Sequence, residues 1–416
     1  MASPTPSAGG FLKRTFAALK FRDFRNLMIG NGISNIGSWM QLVAQPWLVL
    51  TLSGSSFLVG LDGFAGHLPS FLFLIPGGIL ADRRNRKQIM IISQIVQLAS
   101  AALIAFLLVA GKTEVWMIIA LSFCVGTAQS FSFPAYQAMV TTLIPKEHLG
   151  NAISLNSMQF NVSRVIGPLL AGVTMASLGA AWCFGLNAFS FLALLIALYS
   201  MHTSVTANRP VDPSKPRETI RAGFQVILHN PRILGILLLV ACSTAFCGPL
   251  STFLPVLIKN AYGGGASAFS FSIAIFGVGA LIGAFGIAAQ SARLNEGVAV
   301  WSCLALAVLV MLVALAHRLW MVDSLLLFSG AAMVTSTAAA NTFLQSSLSN
   351  EYRARVASLF LLAIRGGFAF GNLLTGAAID RLGVHGALGA DGLLALVLTL
   401  WVWHKYLRRP GLTATT

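Results

Sequence analysis

Gly78-Ile-Leu-Ala-Asp82-Arg83-Arg84-Asn85-Arg86-Lys87 interrupts two long apolar runs with a short knot of charge. Each residue type in it has a physical use. Gly78 lets neighbouring helices approach closely. Asp82 reads as lying near the start of the following helix, where a carboxylate meets the positive end of a helix dipole. Arg83, Arg84, Arg86 and Lys87 hold the loop on the cytoplasmic side. Asn85 falls at a turn position, and asparagine tolerates the left-handed conformation such a turn wants. An ordinary positive-inside loop is the plainer alternative.

On either side of this loop the chain is apolar. Of its 416 residues, 56% are hydrophobic and 9% charged, whereas a soluble domain carries about 25% charged residues. This composition predicts an all-α membrane protein. A spanning helix needs about 20 apolar residues. Twelve stretches qualify, roughly 24–51, 55–81, 87–109, 115–138, 152–178, 181–201, 231–258, 267–290, 296–315, 319–346, 356–379 and 386–405. The net charge of +15 could suggest nucleic acid. The basic residues cluster between apolar stretches, so no nucleic-acid partner is expected. The five cysteines all lie in apolar stretches with no CxxC or Cys/His spacing, so neither a disulfide framework nor a metal site is expected. Residues 1–10 are small and polar, and the first span is expected to serve as its own insertion signal.

With the N-terminus inside, 21 of the 27 lysines and arginines fall on cytoplasmic segments. Both termini are therefore expected in the cytoplasm. The longest polar stretch, 202–230, contains Pro210, Pro213 and Pro216, then a short amphipathic helix from Thr219. It divides the chain into a cytoplasmic segment 1–23, a six-helix half 24–201, this linker, a six-helix half 231–405 and a tail 406–416. A shift of 204 residues supports the division. It aligns Gly167-Pro-Leu-Leu-Ala-Gly172 with Gly371-Asn-Leu-Leu-Thr-Gly376, Glu147 with Glu351, and Leu178-Gly179 with Leu382-Gly383. Two parallel six-helix halves with substrate between them near mid-membrane describe one large transporter fold.

The 78–87 loop resembles the cytoplasmic motif of the major facilitator superfamily, GxxxD(R/K)xG(R/K)(R/K), with Asn85 for the second glycine. Gly167-Pro168-Leu-Leu-Ala171-Gly172 resembles the superfamily's antiporter motif, which ends in GPxxGG, with Ala171 for one glycine; a generic small-residue packing face is the alternative. The superfamily resemblance covers about residues 20–405. Pro145-Lys-Glu-His-Leu-Gly-Asn-Ala-Ile-Ser-Leu-Asn156 and Ala181-Trp-Cys-Phe-Gly-Leu-Asn-Ala-Phe-Ser-Phe191 look like the branch of the enterobactin exporter and related drug exporters. The resemblance implies export by exchange, with spans one, four, seven and ten lining a cavity.

Arg164 and Arg365 lie near mid-depth of the fifth and eleventh spans. A guanidinium keeps its proton, and an intramembrane charge faces a protein interior or a wet cavity. The pair could hold an anionic or polyphenolic substrate by charge-assisted bonds. A structural arginine bonded to backbone carbonyls is the alternative. The 204 shift sets Arg164 opposite Phe368 and Arg365 opposite Asn161, one turn out of register.

Asp62 is the one acid clearly inside a span. Asp323 and Asp391 read as nearer the outer ends of the tenth and twelfth spans. Asp62 and His67 are the proton-coupling candidates; a helix-end contact and a plain hydrogen-bonded histidine are the alternatives. Polar rows add Asn31, Asn35, Gln41 and Gln45 in the first span, Gln129 and Tyr136 in the fourth, and Asn341 and Gln345 in the tenth. Trp39, Phe131, Phe133, Phe246 and Phe253 could stack a flat substrate. Gly78, Asp82, Arg83, Arg86 and Lys87 are expected to gate against Arg353 or Arg355 when the cytoplasmic side closes.

No HExxH, GxSxG or Walker-type GxxxxGK[ST] run occurs. An intramembrane enzyme and a self-contained ATP-driven pump are therefore not expected, and no cofactor is called for. The residues point to a proton-coupled exporter of an anionic, siderophore-like molecule, a monomer in the bacterial inner membrane. The runner-up is a multidrug efflux antiporter; a lipid flippase and a proton-coupled importer of the same fold rank below it.

Overall fold

A computed structural model of the chain describes residues 16–202, 230–289, 295–348 and 350–408, the side chains of 288 and 350–355 excepted. The amphipathic helix expected from Thr219 lies outside the described residues, as do residues 1–15 of the segment expected at 1–23 and 409–416 of the tail expected at 406–416. Those described are helical: α1 (Arg22–Ser53), α2 (Ser56–Arg83), α3 (Arg86–Val109), α4 (Val115–Leu143), α5 (Lys146–Ser177), α6 (Ala180–Tyr199), α7 (Pro231–Phe246), α8 (Pro249–Val256), α9 (Ala266–Ala289), α10 (Glu296–Leu315), α11 (Leu319–Ser346) and α12 (Asn350–Val402).

Local chemistry sets the breaks. Ser55, Asn85, Asn230 and Asn295 cap α2, α3, α7 and α10 with side-chain oxygens that accept backbone N–H groups. The seventh span, expected as one helix over 231–258, is broken at Cys247-Gly248. The chain restarts with Pro249 at the first turn of α8, then widens into a π turn over Leu257–Ala261. The eleventh and twelfth spans run on as α12, which turns at Gly383 (φ 71°, ψ 167°).

Nine helices among the described residues are long and apolar enough to cross a membrane. α1 and α5, 32 residues each, are not among them. Asn31, Asn35, Gln41 and Gln45 in α1 and Asn156, Gln159, Asn161 and Arg164 in α5 dilute their apolar composition, while their length suits a crossing.

Within the first six helices, α1 packs on α5 and α6, α4 on α2 and α3, and α3 on α6. Within the last six, α9 packs on α11, α10 on α11 and α12, and α7 on α12. Between the groups, α2 meets α12, α5 meets α9, and α8 lies against α1 and α2.

The apolar core is divided unevenly. One cluster joins both groups, with Met40, Leu48, Val59 and Ala171 beside Phe253, Leu257 and Phe269. At the end that carries the 83–87 loop the core is two separate clusters. One holds Ala81, Ile89, Leu143 and Met201. The other holds Ile233, Val300, Leu344 and Val402.

Candidate functional site

Arg164 sits where α5 meets α9. Its guanidinium carbon lies 5.5 Å from the Trp39 ring centroid on α1 and 5.6 Å from that of Phe276 on α9. Phe160, one turn earlier on α5, meets Trp39 edge-on at 5.7 Å. A cation over aromatic faces gains up to about 2 kcal/mol when desolvated. Glycines permit this closeness: a Cβ on Gly277 would stand 3.1 Å from the Arg164 carbonyl oxygen. The Gly167–Gly172 stretch continues the contact away from the 83–87 end. Gly167 lies against Trp39, and a Cβ on Gly172 would stand 2.6 Å from Ser270 Cβ.

Arg365 sits where α12 meets α2. Its Nη1 is 3.4 Å from His67 Nδ1. A guanidinium can only donate, so Nδ1 must accept, which assigns the proton of a neutral ring to Nε2. The His67 ring stacks on Phe368 at 5.3 Å. Arg164 and Arg365 thus occupy two different contacts between the helix groups, one against rings and one against an imidazole.

Asp62 on α2 is 4% exposed and hydrogen-bonded by neutral groups. Gln45 Nε2 donates to both carboxylate oxygens at 3.1 and 2.8 Å, and Ser122 Oγ to Oδ1 at 2.5 Å. The chain of bonds continues through α1 into α6. Gln41 Nε2 donates to Gln45 Oε1 at 3.2 Å, and Asn187 Nδ2 to Gln41 Oε1 at 2.6 Å. Asn187 accepts from Ser190 Oγ at 3.0 Å.

A second polar cluster lies nearer the 83–87 end. Asn31 and Asn35 both donate to Gln159 Oε1, at 3.1 and 3.4 Å. Tyr136 donates to Asn156 Oδ1 at 2.6 Å. Asn161 bonds the Ser157 carbonyl of its own helix, and Gln345 donates to Asn341 one turn away. Gln129 is half-buried. Of the candidate stacking rings, Phe253 is wholly buried in the shared core and Phe131 stacks on Phe73.

Sequence reasoning missed Ser122, Asn156, Gln159 and Asn187 as partners, because single polar residues in apolar rows give no periodic signal. Asp391 is 6% exposed and accepts from Thr375 Oγ1 at 2.7 Å, a second acid inside the helices.

The 78–87 loop also differs from expectation. Asp82 is exposed in the last turn of α2, not at the start of α3. Asn85 is extended (φ −64°, ψ 111°) rather than left-handed, and caps α3 by accepting from Lys87 N and Gln88 N. Arg86 ties the loop down through the Ala81 and Ala138 carbonyls and Thr142 Oγ1. Lys87 Nζ donates to the Met201 carbonyl at 3.1 Å. The Arg353 and Arg355 side chains lie outside the described residues.

A family model described as transmembrane secretion effector matches residues 13–411. The chain belongs to this family of major facilitator transporters. It is thus a multi-pass membrane transporter and not an enzyme. It is 28% identical over 278 residues to the enterobactin exporter EntS of Shigella boydii serotype 4 (strain Sb227). That match spans 65% of this chain and 64% of the exporter. An uncharacterized MFS-type transporter, YfiS of Bacillus subtilis (strain 168), is 26% identical over 270 residues, or 63% of each chain. Among solved structures, the nucleoside transporter NupG has a TM-score of 0.75 at 14% identity, covering 93% of this chain and 100% of that one. A bacterial homolog of the human lysosomal transporter Spinster, inward-facing and unoccupied, has a TM-score of 0.73 at 17% identity, covering 94% and 98%. These structural likenesses speak to fold alone.

Proposed function

We propose that this transporter is a proton-coupled exporter that moves an anionic or polyphenolic, siderophore-like molecule out of the bacterial cytoplasm by alternating access. The observation that carries the reading is the placement of Arg164 and Arg365 at the two contacts between the helix groups. A cation at each contact offers an anion charge-assisted bonds in the region that must rearrange. The likeness to an enterobactin exporter supports the substrate class.

In this reading the fold is two six-helix halves, 24–201 and 231–405, acting as a monomer in the inner membrane with both termini cytoplasmic. The 202–230 linker joins them. Gly179 (φ 89°) and Gly383 (φ 71°), 204 residues apart, turn the chain in the same left-handed way, which supports a duplication. The core joined at one end and split at the 83–87 end fits a molecule open toward the cytoplasm. Asn31, Asn35, Gln41, Gln45, Gln129, Tyr136, Asn161, Asn341 and Gln345 would then lie on or behind the cavity wall. Gly167, Pro168 and Gly172 would keep α5 close to α1 and α9.

Asp62 is the proposed proton carrier, with His67 as the alternative. Its neutral donors let it gain or lose a proton without breaking an ion pair, since a hydroxyl such as Ser122 can turn from donor to acceptor. Asp62→Asn is expected to abolish uptake driven by a pH gradient in everted vesicles while substrate counterflow persists. Equal loss of both would assign Asp62 a structural role. Asp82→Asn tests the gating loop. Losing one charge-assisted contact, about 1.5 kcal/mol, should slow transport roughly tenfold; an unchanged rate would remove Asp82 from the gate.

The direct test is a deletion strain. Siderophore secretion under iron limitation should fall, with drug susceptibility little changed. The reverse pattern would favour multidrug efflux, for which the exposed Phe160 ring beside Trp39 offers an apolar face. Lipid translocation or import in the same vesicles would overturn the reading.

A further inference from the structure

Two buried polar side chains stand at the outer contacts between the helix groups with no hydrogen-bond partner among the described residues. Asn372 on α12 is 1% exposed, and neither Oδ1 nor Nδ2 is bonded. It packs on the glycine face of α2, where a Cβ on Gly63 would stand 2.6 Å from Asn372 Nδ2. Ser270 on α9 is 2% exposed, and its Oγ is likewise unbonded. It packs against Gly172 on α5, where a Cβ would stand 3.2 Å from that Oγ. One group lies at the α2–α12 contact and the other at the α5–α9 contact. Asn372 is two helical turns beyond Arg365, and Gly172 about two beyond Arg164, each toward the end where the core is continuous.

A buried amide or hydroxyl left unpaired destabilises the state that buries it, because water would satisfy it on exposure. The large majority of buried polar groups are satisfied, so orphans at both of these contacts call for an explanation. Resting on the alternating-access reading above, we infer that Asn372 and Ser270 are gating residues of the outer contacts. Their unpaired groups weaken the closed outer seams and become hydrated when those seams part. The close glycine packing holds the seams shut; the orphaned groups keep that closure reversible. Leucine branches at Cγ as asparagine does and has no polar group. Asn372→Leu therefore removes the penalty on closure and adds an apolar group that resists exposure.

The test is pulsed electron spin distance measurement on the full chain in lipid nanodiscs, with native cysteines replaced. Labels at Phe57 and Leu382 report on the α2–α12 seam, and labels at Leu178 and Ser267 on α5–α9. Asn372→Leu is expected to lower the ratio of long to short outer distances about tenfold, and Ser270→Ala several-fold in the same direction. Thr113 Oγ1 is also buried and unbonded but lies between α3 and α4, away from both seams. Thr113→Val is expected to leave the ratio unchanged. An unchanged ratio in both Asn372→Leu and Ser270→Ala would overturn the inference while leaving alternating access standing. A single outer distance in the unsubstituted protein, at low and at high pH alike, would overturn both. A shift in Thr113→Val as large as in Asn372→Leu would assign the effect to general stability and overturn the gating role.

Discussion

Gly279→Leu is expected to abolish the folded transporter. A Cβ at Gly279 falls on the Leu327 carbonyl of α11. One turn along α9, a Cβ at Gly283 would stand 2.5 Å from the Ala331 carbonyl oxygen and 3.0 Å from Ala331 Cα. The contact is mutual: a Cβ at Gly330 of α11 meets the Phe276 carbonyl and would lie 2.9 Å from Ala280 N. Gly279-Ala-Leu-Ile-Gly283 is thus a GxxxG face docked on Gly330, the small-residue packing that drives helix association in lipid. The obstructing atoms are backbone, so no rotamer change relieves a leucine there. Overpacking of this kind costs about 3 kcal/mol, the upper end of the usual range, because nothing there can yield. Phe276, which faces Arg164, rides on the same helix, so any shift of α9 also displaces the candidate site. A Cβ at Gly286, one turn further along α9, would meet nothing within 4 Å. Gly286→Leu is therefore expected to fold. Size-exclusion profiles and thermal midpoints in detergent compare the two; similar behaviour would show that the close α9–α11 approach is not what holds this part together.

Such packing shows how far the sequence could be read. Long apolar runs and basic loops located the helices, because both follow from transfer out of water. The bounds were less legible where helices extend past the apolar core. α5 starts at Lys146, six residues before its apolar run, because Pro145 ends the preceding chain and nothing polar in Lys146–Gly150 forbids a helix. The Cys247-Gly248-Pro249 break was written in the sequence as Gly-Pro, yet the apolar run across it hid the interruption.

The candidate site was legible in kind but not in partnership. Mid-span charge singled out Arg164, Arg365 and Asp62 from composition alone. Their neighbours depend on helix rotation, which polarity within one helix does not fix. Gln41 and Gln45 read as a polar row, and they do bond to each other. That they lead on to Asp62 and Asn187 required two further helices. Asn85 is similar: its identity signalled a turn or a cap with equal force, and the geometry chose the cap.

Arg365→Gln is expected to cut export of an anionic catecholate by about 100-fold, because a bond to a charged group contributes roughly 1.5–3 kcal/mol. The partner across the contact is His67, an imidazole acting as acceptor. The substitution therefore strands no buried carboxylate, and the loss reports on what Arg365 does for the substrate. Glutamine keeps a donor for His67, which guards the α2–α12 contact while removing the charge. Arg365→Lys should recover only part of the activity, since an ammonium keeps the charge and loses the planar fork that grips a carboxylate or catecholate. Arg164→Gln should fall less, about tenfold, because its cation is already balanced by the Trp39 and Phe276 faces. Initial rates in everted vesicles, with 2,3-dihydroxybenzoate as probe and a lipophilic cation alongside, separate the cases. Faster export of the cation by Arg365→Gln, with slower export of the anion, is the expected pattern, since the buried positive charge repels one and attracts the other. Equal losses for both probes would mean that Arg365 serves the conformational change, and its contact with His67 would then be part of the gate rather than of the cavity.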